Sequence, residues 1–186
     1  MSILRLARAL RSPRSGRRFV RDRSGLAALE FALILPIMVL LYLGGFEASE
    51  AFMINRKVTH ATSVLGDLVA QAEEIDDEQM SNILDAVTAV MNPYPIEDMN
   101  IVVSGVRIDD EGEATVVWSD ARNMSAYREG SSYDLPEEIS RPDTFIVAAE
   151  VRYEYTPTFG HTLTGTLDLH DEFYLRPRLQ NEVERD

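Results

Sequence analysis

Between Leu26 and Phe46 the chain is apolar for twenty-one residues, broken by one charge, Glu30, and the apolar positions show no period. A helix that is hydrophobic on every face is either buried on all sides or set in lipid. Rising about 1.5 Å per residue, it would reach roughly 31 Å, the thickness of a bilayer's hydrocarbon core. The run predicts a transmembrane helix over 26–46. Past Phe46 the pattern becomes periodic: Ile54, Val58, Ala61, Leu65, Leu68 and Ala72 recur at spacings of four and three. That stripe predicts an amphipathic continuation of the same helix over 47–72. Pro36 and the pair Gly44-Gly45 are where so long a helix is expected to bend.

The stretch Glu73-Glu74-Ile75-Asp76-Asp77 interrupts the pattern, and Asp76 or Asp77 is placed to cap a second helix. Met80, Ile83, Leu84, Val87, Val90 and Met91 give that helix one apolar face, and Asn92-Pro93 ends it. The period then drops to two. Segments 100–108 and 113–119 flank the turn Asp109-Asp110-Glu111-Gly112 and predict a hairpin. In a third strand, Phe145, Val147, Ala149, Val151, Tyr153 and Tyr155 alternate with Glu150, Arg152 and Glu154, which places the latter on a solvent face. Leu167, Leu169, Phe173 and Leu175 carry a fourth strand. Between the second and third lies a long polar loop, 120–142, with a helical turn expected near Leu135-Pro136-Glu137-Glu138; loops of this length are often functional. The expected fold class is α+β, a long N-terminal helix running into a domain with a second helix and an antiparallel sheet of about four strands. The expected segments are a leader over 1–25, the membrane helix over 26–46, its extension over 47–72, an α+β domain over 73–178 and a polar tail over 179–186.

Charge sharpens this picture. The net charge of -13 conceals a division: residues 1–25 hold eight arginines and one acid, +7, while the remainder holds ten basic and thirty acidic residues, -20. A basic head before an apolar span predicts a cytoplasmic N-terminus and a body on the far side of the membrane. An acidic body argues against nucleic acid as a partner, because it repels the phosphates that supply most of the affinity. The arginines are accounted for by topology. Arg17-Arg18-Phe19 has poor spacing for a twin-arginine export signal. The apolar run is too long for an ordinary signal peptide and is followed by a mediocre cleavage site, so an anchor retained in the membrane is expected.

Candidate chemistry is sparse. There is no cysteine, hence no disulfide and no thiolate metal site. His60, His161 and His170 are scattered and have no zinc spacing. The acids at 73–77 lack the ligand spacing and glycine of a calcium loop and are read as capping and solvation. Neither a nucleophile elbow nor a phosphate-cradling glycine loop is present. Asp168 and Glu172 are explained by strand alternation. The expectation is a protein with no enzymatic activity and no cofactor.

The stretch Gly25-Leu26-Ala27-Ala28-Leu29-Glu30-Phe31, followed by an apolar helix, resembles the processing site of class III prepilins and pseudopilins. The segment from Arg23 to about Ala72 is more specifically similar to the TadE-like family of the tight-adherence (Flp) pilus system, whose members carry G-x-x-x-x-E-F and then L-P, here Leu35-Pro36. The chain is longer than a major Flp pilin and has Glu-Phe rather than Glu-Tyr, which favours a minor pseudopilin.

The resemblance implies a prepilin peptidase that cuts between Gly25 and Leu26, with Glu30 as the fifth mature residue and Phe31 beside it. It implies partnership with other pilins and pseudopilins in the inner membrane, the C-terminal domain being periplasmic, and a meeting of Glu30 with a neighbouring subunit's N-terminal amine. Gly44, Gly45, Ala48 and Ser49 form small-xxx-small pairs that suit either close helix packing or a hinge. The competing expectation is a single-pass periplasmic binding or adhesion module with an uncleaved anchor, using the 120–142 loop.

Overall fold

The computed structural model describes residues 24–160 and 165–186. The expected leader over 1–25 therefore lies, up to residue 23, outside the described residues, and so does His161. The chain divides into two compact units, Met1–Gly44 and Gly45–Asp186. Helix α1, Ser24–Ala70, begins in the first and ends in the second.

In the second unit, α1 turns one face inward through Ile54, Val58, Ala61, Leu65 and Val69, all essentially inaccessible to water. The expected stripe holds to Leu65 and then moves by one residue: Leu68 is 38% exposed and Val69 is buried in its place. Spacings of four and three average 3.5 residues, whereas an α-helix turns every 3.6, so a strict alternation drifts off the buried face. Gly66 lets Leu175 come close. A Cβ there would stand 2.3 Å from Leu175 Cδ1.

After a two-residue strand β1, Glu74–Ile75, comes helix α2, Asp77–Val90. Its N-cap is Asp76, whose carboxylate accepts from Gln79 N while the Gln79 side chain accepts from Asp76 N, a reciprocal capping box. Lys57 of α1 caps the other end, its ammonium donating to the carbonyls of Val90 and Asn92 at 2.9 and 2.8 Å. Met80, Leu84, Val87 and Met91 are buried, as the expected apolar face requires.

Four strands form one antiparallel sheet: β2, Met99–Ile108; β3, Ala114–Arg122; β4, Thr144–Tyr155; and β5, Leu167–Leu175. Their spatial order is β3-β2-β4-β5. The β2–β3 turn follows from Asp109, whose carboxylate accepts from Glu111 N and Glu113 N, and from Gly112 at φ +88°. One face of the sheet packs on α1 and α2 through Ile101, Val103, Val147, Ala149 and Val151.

The 120–142 segment covers the other face. Residues 130–133 run along the free edge of β3, with Gly130 N donating to Val116 O, Val116 N to Ser131 O and Tyr133 N to Ala114 O. The expected helical turn follows, Ile139 N and Ser140 N both donating to Pro136 O. Tyr133, Leu135 and Ile139 pack on Val106, Ile108, Ile146 and Ala148. Glu150 therefore does not face solvent as its alternation suggests. It is 5% exposed.

The final residues, expected as a polar tail, take part in the fold. Strand β6, Glu184–Arg185, pairs in parallel with β1. Val183 is buried, and its carbonyl accepts from Trp118 Nε1 at 2.9 Å. Arg185 grips the Asp120 carboxylate with two hydrogen bonds and also bonds Asp77.

Candidate functional site

Within the first unit the described part of α1 buries nothing. Residues 25–42 are all exposed, Leu41 and Tyr42 by 72% and 75%. The helix has a mean hydropathy of 2.4 over its most apolar eighteen residues and is long and apolar enough to cross a membrane. Each large apolar side chain left in water forfeits about 1.5–3 kcal/mol. So long a row of them suits a solvent of hydrocarbon.

Gly25, Leu26, Glu30 and Phe31 lie together in the first two described turns of α1. Leu26 and Phe31 are 56% and 59% exposed, and nothing stands within 4 Å of a Cβ built on Gly25. Leu26 and Glu30, four residues apart, share one face of the helix. Glu30 is exposed and has no ion-pair partner among the described residues. Pro36 sits inside the helix, where it has no N–H to offer the carbonyl of Ala32.

Further along, the small residues gather. Gly44, Gly45, Ala48 and Ser49 are exposed, with open space around both glycines. The Ser49 hydroxyl donates to the Gly45 carbonyl at 2.8 Å, a back-bond of a kind that accompanies helix bending. The boundary between the two compact units falls between Gly44 and Gly45.

Among the described residues, His60, His170 and the acidic stretch do not come together. His60 and His170 are exposed, and among the described residues no group of acids and histidines could hold a metal ion.

A second cluster, not legible in the sequence reading, lies on the sheet face covered by the 120–142 segment. Glu150 Oε1 accepts from the Tyr133 hydroxyl at 2.6 Å and Oε2 from that of Tyr127 at 3.1 Å. The two rings meet edge to face, centroids 5.3 Å apart. Tyr174 OH donates to Glu172 at 2.6 Å. Burial, then the nearby Glu150 carboxylate, pushes the Tyr127 phenol up to about 12 and holds that of Tyr133 well above its ordinary value. Burial with Glu172 does the same to Tyr174. One signal was available: 145–149 are apolar without a break, as expected of a strand covered on both faces.

Comparison with known proteins bears on the helix. No curated protein and no solved structure matches the chain. A family model described as TadE-like protein matches residues 25–64. That segment begins at Gly25, takes in the whole exposed apolar run and ends within the part of α1 that packs on the core; this stretch, less than a quarter of the chain, is similar to TadE-like proteins.

Proposed function

We propose that this chain is a membrane-anchored minor pseudopilin that serves in assembly of a tight-adherence pilus. One observation carries the reading: the TadE-like match over 25–64 takes in the whole of the helix segment 25–42, whose side chains are exposed on every face. In this reading α1 crosses the inner membrane once, with the arginines in the cytoplasm and the second unit in the periplasm.

A prepilin peptidase cuts between Gly25 and Leu26, where the missing side chain lets the enzyme approach the backbone closely. The cut releases the eight arginines of the leader and creates an ammonium at Leu26. Charges at the bilayer centre cost about 2.5–3.5 kcal/mol each on insertion scales, so leaving the membrane with the leader attached is prohibitive. Glu30 carries its own cost in hydrocarbon unless a cation meets it, and a neighbouring subunit's Leu26 ammonium supplies one. The small face at Gly44, Gly45 and Ala48 is the packing or hinge element of this assembly.

N-terminal sequencing of the protein from cells carrying the matching peptidase tests the reading. The mature chain is expected to begin Leu-Ala-Ala-Leu-Glu-Phe. Gly25→Arg should leave the leader in place, and Glu30→Ala should impair processing or assembly. A chain that still begins at Met1 while the pilus works normally would overturn the assignment in favour of an anchored binding module.

A further inference from the structure

The second face of the sheet sets two carboxylates side by side. Glu150 of β4 and Glu172 of β5 stand directly opposite each other in the antiparallel ladder. Like charges in that position destabilise a sheet. Glu150 is 5% exposed, yet it belongs to no ion pair among the described residues. Arg152, two residues along the same face, lies 3.8 Å from Asp168 instead. Local rules broken in this way are expected where a protein keeps a site for something else.

Space for that something is present. An open cleft of about 550 Å³ lies over the pair, lined by Tyr127, Tyr133 and Tyr174, by both glutamates and by Asp134, with no basic residue in its wall. The Tyr127 and Tyr133 hydroxyls spend their protons on Glu150, so their oxygens keep lone pairs for an incoming donor. Aromatic faces beside carboxylates also favour a positive charge directly.

We propose that this cleft binds an organic cation bearing N–H donors, a primary ammonium or a guanidinium, seated among the three tyrosines and neutralised by Glu150 and Glu172. The donors matter: a phenol oxygen and a carboxylate both accept, and a quaternary ammonium has nothing to give them. The cation comes from either of two sources, a free polyamine or a lysine or arginine side chain of another protein.

Calorimetric titration of the full chain in detergent micelles tests this. The probes are cadaverine and agmatine as free cations, and Gly-Lys-Gly and Gly-Arg-Gly with both ends capped as side-chain mimics. Pentanol and pentanoate serve as neutral and anionic controls. Saturable heat is expected with cations, weakening as salt is added, and none with the controls. Peptides that bind at least as tightly as the free cations identify a protein side chain as the natural occupant; the reverse order identifies a free amine.

Glu172→Gln should weaken binding about tenfold, in keeping with the loss of one charge-assisted contact. Glu172 is exposed, so this variant is expected to keep its circular dichroism and melting temperature even if Glu150→Gln does not fold. No saturable heat with any cation, equal heat with pentanol, or full affinity in a folded Glu172→Gln protein would overturn the proposal.

Discussion

Gly105 is the residue on which one wall of the core depends. A Cβ at this position would stand 2.4 Å from Trp118 Nε1 and 2.6 Å from Phe145 Cζ. Neither ring can retreat cheaply: Trp118 is 4% exposed and Phe145 7%, and the indole is tied to the Val183 carbonyl. The β2–β3 register also shifts beside Gly105, where Trp118 and Val116 face consecutive residues of β2 and Val117 is the extra one. Gly105→Ala should therefore destabilise the second unit by about 1–3 kcal/mol, the usual cost of forcing volume into a packed core. Denaturant unfolding followed by circular dichroism measures it. Adding Trp118→Phe, which removes the obstructing ring edge, should make the pair less costly than the sum of the two single changes. Strict additivity would show that glycine is not there to make room for the indole.

At the scale of elements, what the sequence revealed depended on whether a period was present to be read. Strand β5 runs over Leu167–Leu175 as its alternation indicates, and α2 begins at the Asp76 cap that its acids suggest. The 120–142 segment has no period, so nothing in it could announce that Tyr133, Leu135 and Ile139 line the far side of the sheet. Glu150 departs from its alternation for the same reason, since its burial comes from that aperiodic segment, through Tyr127 and Tyr133. The membrane run and the Gly25–Glu30 spacing were visible because each is local. For α1, the role proposed for the exposed Gly44 and Gly45 is helix packing or bending. Replacing both with leucine improves helix propensity by about 1 kcal/mol per site, so insertion is expected to persist. Crosslinking to other pilins in the membrane fraction should fall, because the bulkier side chains hold neighbouring helices apart. Undiminished crosslinking would leave bending as their role.

For the whole molecule, charge is divided along the chain: the first 25 residues carry +7 and the rest -20. With that asymmetry across the proposed span, a reporter that works only in the cytoplasm should be silent when fused after Asp186, and one that works only outside should be active. Cytoplasmic activity at that position would reverse the topology. Residues 183–186 close the second unit. Those residues supply the Val183 acceptor for Trp118, the Arg185 guanidinium between Asp77 and Asp120, and the strand that pairs with β1. The second unit is in this sense buckled: one short segment ties together positions 108 residues apart, so deleting residues 183–186 is expected to loosen both sides of the buckle at once.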